Sequence, residues 1–160
     1  MHQRQSLHAS IAGLMLAAVS LTCDSAERTP PPLIQPTILR TLPHDTLAFT
    51  QGLLYHDGLL YESTGRYGRS SLRKLDTKTG GFTVCTSVDS HYFAEGLALH
   101  DNNLVQLTWQ SGRAFVYAYP SLELSGTYRY EGEGWGLTTM DSLFIMSNGS
   151  DTLTFLDRRF

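Results

Sequence analysis

The sequence "FTQGLLYHDGLLYEST" at residues 49–64 occurs twice more in the chain in altered form. It returns as "FAEGLALHDNNLVQLT" at residues 93–108 and, after deletion of one residue, as "EGWGLTTMDSLFIMSN" at residues 133–148. The Gly-Leu pairs of the three units are spaced 44 and then 40 residues apart. A period of about 40 to 50 residues is typical of one four-stranded propeller blade. The repeat therefore predicts an all-β fold built from β-propeller blades, each a four-stranded antiparallel sheet.

Each unit divides into short strands separated by turn residues. We expect the first strand to end in the Gly-Leu pair and a turn containing aspartate to follow it. The second strand is predicted at "LLYEST", "NLVQLTW" and "SLFIMS", the third at "SSLRKLD", "AFVYAYP" and "TLTFLD", and the fourth at "FTVCTSV" and "LSGTYRY". After residue 23, no stretch has apolar residues at helical spacing over enough residues to predict a helix. No helix therefore competes with this assignment.

The third unit reaches Phe160 just after its third predicted strand. A propeller closes a ring of about four to eight blades, and about three are present here. We expect either that the chain is a truncated part of a larger propeller or that a partner supplies further blades. Open propeller edges also predict self-association, because buried apolar strands at an open edge favour aggregation.

The repeat places three different side chains at one equivalent position. Gln51, Glu95 and Trp135 each precede the Gly-Leu pair, and side chains two residues apart on a strand share a face. Because the first strand of each blade lines the central channel, we expect these three side chains to converge at one mouth of it. The polar residues there line a site and do not interrupt a core.

Histidine and aspartate pairs suggest a metal site at first sight. His56-Asp57 and His100-Asp101 both fall at the predicted hairpin turn of their repeat, and turn chemistry explains them. No spacing of histidine, cysteine and aspartate resembles a zinc site. We predict no metal.

The first residues differ in composition from the rest. Residues 1–23 combine a polar start with the apolar run "IAGLMLAAVSL" at 11–21, which predicts an export signal peptide. Cys23 follows directly and suggests a lipoprotein signal in which its thiol is acylated; ordinary cleavage after Ser20 is the alternative. Residues 24–32 contain "TPPP" and predict a Pro-rich tether, with the propeller domain at 33–160. We expect an exported, periplasmic or cell-envelope protein.

The charge pattern bears on partners. The chain has a formal net charge of −3, and Lys74 and Lys78 are its only lysines. Without a basic stripe to neutralise phosphates, no nucleic-acid partner is expected.

Several consecutive motifs resemble one known family, the plant and bacterial type of glutaminyl-peptide cyclotransferase. That family folds as a propeller of about five blades, so the resemblance implies roughly two further blades, which carry other pocket residues. The matching motifs, in order, cover nearly all of the chain after the tether: "PHDTLAFTQGLLYHDGLLYESTGRYGRSSLRKLD" (43–76), "YFAEGLAL" (92–99), "QLTW" (106–109), "EGWGLT" (133–138) and "LTFLD" (153–157).

The resemblance implies conversion of N-terminal glutaminyl residues of peptides and proteins to pyroglutamyl, with release of ammonia and without a metal or other cofactor. Glu95 matches the catalytic glutamate of the family in "YFAEGL" and is assigned proton transfer as a hypothesis. The matching substrate-pocket residues are Phe49, Gln51, Phe93, Trp109 and Trp135.

Two other readings stay open from the sequence. Propeller architecture fits equally well a non-catalytic exported fragment that binds peptides or proteins, because fold does not fix function. The truncated chain could also lack activity. Glu62 and Glu133 are interpreted as structural or rim residues and are not assigned to the site.

Overall fold

The computed structural model describes residues 30–160, without the side chain of Val84. The predicted signal peptide at 1–23, the lipidation of Cys23 and most of the predicted tether lie outside the described residues. Residues 30–37 belong to a separate unit and contain no helix or strand. No membrane-spanning helix is found among residues 30–160.

The second unit, residues 38–160, consists of strands and turns. Its eleven strands are β1 Thr50–His56, β2 Leu59–Thr64, β3 Ser71–Leu75, β4 Phe82–Ser87, β5 Ala94–His100, β6 Asn103–Thr108, β7 Arg113–Ala118, β8 Glu123–Arg129, β9 Leu137–Met140, β10 Leu143–Ser147 and β11 Leu153–Leu156.

These strands form three antiparallel sheets in chain order. Blade 1 is β1-β2-β3-β4, blade 2 is β5-β6-β7-β8, and blade 3 is the three-stranded β9-β10-β11. The first strands of neighbouring blades lie side by side, β5 between β1 and β9. This is the arrangement of propeller blades around a channel, and the predicted all-β fold is confirmed.

Two-residue turns join the first and second strands of blades 1 and 2. Asp57 and Gly58 have φ of 49° and 75°, and Asp101 and Asn102 have φ of 46° and 60°. Positive φ at both turn residues matches the twist of a hairpin and favours Gly, Asn and Asp. The predicted position of the two His-Asp pairs at hairpin turns is therefore confirmed: each histidine ends a strand and each aspartate is a turn residue.

The expected end of the first strand was wrong. In β1 and β5 the Gly-Leu pair lies inside the strand, which continues to His56 and His100. The glycines have a packing reason. A Cβ on Gly52 would lie 2.8 Å from the backbone N of Leu97, and a Cβ on Gly96 would lie 2.6 Å from the backbone O of Trp135. Glycine thus permits close approach of adjacent inner strands.

The hydrophobic core lies between the blades. Tyr61, Leu72 and Leu104 are fully buried between blades 1 and 2, and Phe144 and Leu107 are buried between blades 2 and 3. Complete burial of a side chain of this size stabilises a fold by about 2 kcal/mol. The core therefore holds the blades side by side.

One amide is buried among the apolar side chains. Gln106 of β6 is fully buried, donates from Nε2 to Ser63 Oγ at 2.8 Å and accepts from the hydroxyl of Tyr117 at 3.1 Å. Because its polar groups are hydrogen-bonded, its burial does not carry the cost of an unpaired amide. The bond to Ser63 also links blade 2 to blade 1.

The segment that precedes β1 is fixed to blade 1. Asp45 pairs with Arg73 of β3 at 2.8 Å. The hydrogen bond from the backbone N–H of Leu47, followed by this pairing with Arg73, lowers the pKa of Asp45. His44 Nε2 lies 2.9 Å from Glu62 Oε1 of β2. These contacts set the position from which β1 enters the channel.

Candidate active site

A cavity of about 600 Å³ lies at one end of the inner strands. Its mouth is the end at which β1 and β5 begin and the loop before β9 arrives. A cavity of this size is large enough for a small ligand. Its lining residues are Gln51, Phe93, Glu95, Trp109, Trp135, Gly136 and Ser147.

The repeat brings the three equivalent side chains together as the sequence predicted. Gln51 lies on β1, Glu95 on β5, and Trp135 two residues before β9, and all three line the cavity. The N–H of Gly96 donates to the carbonyl of Trp135 at 2.7 Å, which joins β5 to the loop carrying Trp135. The spacing of the Gly-Leu units thus positions one side of the site.

Glu95 is the buried carboxyl group of the cavity, with 8% of the residue exposed. Burial raises its pKa, the nearby charge of Glu133 raises it further, and interaction with the Gln51 side chain opposes the rise. A carboxyl group with a raised pKa retains its proton at higher pH than an exposed one. It is therefore suited to both donating and accepting a proton.

Aromatic rings form the apolar walls. Phe93 lies edge-on to Trp109, with ring centroids 5.7 Å apart, and edge-on to Tyr67 at 5.5 Å. Phe49 does not line the cavity: its ring lies edge-on to Phe93, with ring centroids 6.2 Å apart, and the guanidinium of Arg66 lies over it. Of the six residues predicted for catalysis and substrate binding, five surround the cavity and Phe49 supports one of them.

Two small residues leave space for these rings. A Cβ on Gly65 would collide with the ring of Phe93, and a Cβ on Gly149 would lie 2.7 Å from the ring of Trp135. Gly149 also has a φ of 81°, a conformation that side chains disfavour. Glycine at both positions therefore lets the aromatic walls occupy their places.

Glu133 does not line the cavity but is hydrogen-bonded to two tryptophans that do; the sequence interpretation had assigned it to structure or the rim. Its Oε2 accepts from the indole Nε1 of Trp109 at 2.7 Å and of Trp135 at 3.0 Å, and its Oε1 accepts from the Gln110 amide at 3.0 Å. These three hydrogen bonds lower the pKa of Glu133; the bond from Trp135 has the largest effect, followed by those from Gln110 and Trp109. The signal in the sequence was its place two residues before Trp135 in "EGWG".

The sequence reasoning also missed Ser147 and Gly136. Ser147 of β10 accepts at Oγ from the N–H of Gly136 at 3.0 Å, and its carbonyl accepts from the N–H of Trp135 at 2.9 Å. No local pattern marks a serine at the end of a second strand as part of a pocket. Only the register of blade 3 brings it to the cavity.

Tyr130 lies behind the cavity wall. Its hydroxyl donates to the carbonyl of Thr108 and accepts from the N–H of the same residue. Burial raises its pKa, and the charge of Glu95 adds to the rise. The tyrosine thus stays neutral and supports the end of β6 next to Trp109.

Among residues 30–160, no three histidine, cysteine, aspartate or glutamate side chains are grouped so that they could hold a metal ion. The groups that the cavity offers are one buried carboxyl group, one amide, the hydroxyl of Ser147 and aromatic surfaces. This set can bind a small ligand with both polar and apolar parts and can transfer a proton to or from it.

Comparison with known proteins connects this geometry to a family. The family model described as glutamine cyclotransferase matches residues 10–160. The chain belongs to the glutamine cyclotransferase family. It is 39% identical over 122 residues to a glutaminyl-peptide cyclotransferase of Arabidopsis thaliana, an alignment that covers 75% of this chain and 38% of the plant protein.

Solved structures agree with this membership. The glutaminyl cyclase of Myxococcus xanthus matches with a TM-score of 0.71 and 38% identity over 76% of this cyclotransferase-family chain and 51% of the bacterial one. The WD40 domain of Neurospora crassa Pan2 matches with a TM-score of 0.55 at 14% identity, covering 68% of this chain and 32% of that one, which shows the propeller fold alone. The chain thus spans about half of the length of the Myxococcus xanthus protein and 38% of the length of the Arabidopsis thaliana protein.

Proposed function

We propose that this chain carries out glutaminyl-peptide cyclotransfer: it converts the N-terminal glutaminyl residue of a peptide or protein to pyroglutamyl and releases ammonia. Family membership supports the reaction class. The observation that carries the proposal is the buried Glu95 carboxyl group in a cavity walled by Phe93, Trp109 and Trp135.

The chemistry requires little beyond positioning and proton transfer. The free α-amine of the substrate attacks the side-chain amide carbon of the same residue, a new C–N bond closes a five-membered lactam, and the original amide C–N bond breaks. Because the attack is intramolecular, selection of the ring-closing conformer supplies much of the rate. An α-amine has a pKa near about 8, so a neutral fraction is present at pH 7.

Glu95 manages the protons in this proposal. The attacking amine must lose a proton, and the leaving nitrogen must gain one before it departs as ammonia. The Glu95 carboxyl group accepts the first and supplies the second, so that no proton is gained or lost overall. Because the pKa of Glu95 is raised towards neutral pH, its ionised and protonated forms are more evenly populated there. The ionised form accepts the first proton and the protonated form supplies the second.

The other cavity residues bind and shield the substrate. The aromatic walls exclude water from the reacting amide, and the Gln51 side chain offers an amide to the polar groups of the substrate. Phe49 acts through Phe93, against whose ring it packs. The substrates are peptides and proteins that begin with glutamine.

The test measures ammonia release from glutaminyl-alanine amide by the full chain. We expect activity in the wild type, a loss of about a thousandfold in Glu95→Gln, and no loss in the matched control Glu131→Gln, whose side chain is exposed. Equal activity of Glu95→Gln and wild type would contradict the assignment. Peptide binding without ammonia release in any variant would instead favour a non-catalytic propeller that binds peptides.

We also propose export of the protein, with acylation of Cys23 as membrane attachment. The apolar run at 11–21 followed by cysteine supports both. Radiolabelled palmitate incorporated in the wild type and absent from Cys23→Ser is the expected result, and an unlabelled wild type found in the cytoplasm would contradict it.

Self-association through exposed blade edges is proposed from the half-exposed Leu153 and Phe155 of β11, and a monomeric elution volume in size-exclusion chromatography would refute it.

A further inference from the structure

Glu133 makes an unusual set of contacts for a glutamate on a loop. It accepts hydrogen bonds from the indole groups of Trp109 and Trp135 on one oxygen and from Gln110 on the other. Charge-assisted hydrogen bonds are roughly twice as strong as neutral ones. Its carboxylate is therefore engaged by side chains that come from both blade 2 and the entry to blade 3.

The backbone around Glu133 is fixed by independent bonds. The N–H of Gly134 donates to the carbonyl of Trp109 at 2.9 Å, and the N–H of Trp135 donates to the carbonyl of Ser147 at 2.9 Å. A Cβ on Gly134 would lie 2.5 Å from the hydroxyl of Tyr130, so the loop also packs closely against that ring. The carboxylate of Glu133 is thus held at a defined place between the two indoles.

The two tryptophans need such a link. Trp135 is 46% exposed, so packing against the protein holds it only in part. The loop carrying Trp135 leads from blade 2 to blade 3, and its backbone hydrogen bonds fix the main chain but not the indole ring. Without the hydrogen bond to Glu133, the ring of Trp135 would be oriented by its packing against Gly149.

We propose that Glu133 is the positioning residue of the cavity, which holds the indole rings of Trp109 and Trp135 as walls at a fixed separation for the substrate. The proposal rests on the proposed function, because it names how the same site keeps its shape. Glu133 acts through the tryptophans and takes no part in the proton transfers assigned to Glu95. Its negative charge, which raises the pKa of Glu95, is a second contribution to the same site.

The chain offers a direct optical test of this link. Trp109 and Trp135 are its only two tryptophans, so its entire tryptophan fluorescence comes from the two side chains bonded to Glu133. Acrylamide is a suitable quencher because it is neutral, and loss of the Glu133 charge does not alter its approach. The variants are Glu133→Ala, the conservative Glu133→Gln, which keeps one acceptor oxygen, and the control Glu131→Ala on the same loop.

In Glu133→Ala we expect a red-shifted emission maximum and stronger acrylamide quenching. We expect KM for glutaminyl-alanine amide to rise about tenfold with a smaller change in kcat. Glu133→Gln should fall between wild type and Glu133→Ala, and Glu131→Ala should match wild type. The melting temperature should move by no more than about 2 °C, because Glu133 is not part of the buried core.

The outcomes separate this inference from the proposed function. If wild type releases ammonia and Glu133→Ala matches Glu131→Ala in fluorescence and KM, the positioning role is refuted while the function stands. If no variant releases ammonia but the fluorescence changes as expected, the function fails and the role of Glu133 stands. A large fall in the melting temperature of both Glu133 variants would assign Glu133 to fold stability and refute the inference.

Discussion

Glu62 and Glu95 are two buried glutamates on neighbouring blades with opposite surroundings. Glu62 on β2 is fully buried, and its Oε1 accepts from the hydroxyl of Thr50 at 2.5 Å and pairs with His44 at 2.9 Å. Glu95 on β5 is 8% exposed and faces a cavity of about 600 Å³. Burial of a carboxyl group therefore does not by itself indicate a site.

The difference between them follows from their strands. Glu62 lies on the second strand of its blade, where the segment preceding β1 covers it and supplies His44. Glu95 lies on an inner strand at the channel mouth, where no segment of the described chain fills the space in front of it. Both partners of Glu62 bind its Oε1, while its Oε2 is buried without a hydrogen bond among the described residues. Glu95 faces a cavity and is available to a ligand.

The largest expected effect separates the two glutamates by activity. Glu62→Gln, which keeps an acceptor oxygen for Thr50, should retain ammonia release within about threefold of wild type, against the loss of about a thousandfold in Glu95→Gln. Release of ammonia from glutaminyl-alanine amide measures both. Equal losses in the two variants would end the distinction drawn between them.

The next effect separates them by stability. Glu62→Ala should lower the free energy of unfolding by about 2 kcal/mol, because it removes hydrogen bonds at a fully buried position and leaves a cavity. Urea denaturation measures this, with Glu62→Gln as the control that should lose less. A Glu62→Ala variant as stable as wild type would show that the contacts with His44 and Thr50 contribute nothing.

The smallest effect is a pH dependence. Because the pKa of Glu95 is raised above its ordinary value of 4.5, the native state holds the proton more tightly than the unfolded state. Wild-type stability should then fall, relative to Glu95→Gln, as pH rises from that ordinary value through the raised pKa. Melting temperatures of both proteins between pH 4 and pH 7 measure the difference; a difference that does not change with pH would contradict the raised pKa.

Regular elements were predicted well because their signals are local. The second strand of blade 1 was predicted at "LLYEST" and lies at Leu59–Thr64, and the fourth was predicted at "FTVCTSV" and lies at Phe82–Ser87. The first strands were placed wrongly relative to their glycines. Gly was read as the end of a strand, whereas Gly52 and Gly96 permit contact with the next inner strand, a constraint that only the packed blades reveal.

The site was predicted in part for the same reason. Equivalence within the repeat brought Gln51, Glu95 and Trp135 together, and each lines the cavity. Phe49 stands in the repeat to Gln51 as Phe93 stands to Glu95, yet Phe93 lines the cavity and Phe49 does not. The ring of Phe49 lies edge-on to Phe93, a difference between the two blades that the repeat does not predict.

The sequence alone determined the blades, their hairpin turns and the shared position of three cavity residues, because these depend on a repeated spacing and on the backbone preferences of short segments. Only the tertiary structure decided that Glu133 links Trp109 and Trp135 and that Glu62 is paired while Glu95 faces a cavity. The physical reason is that hydrogen-bond partners, burial and pKa depend on groups that are distant in the chain and meet only when the blades pack.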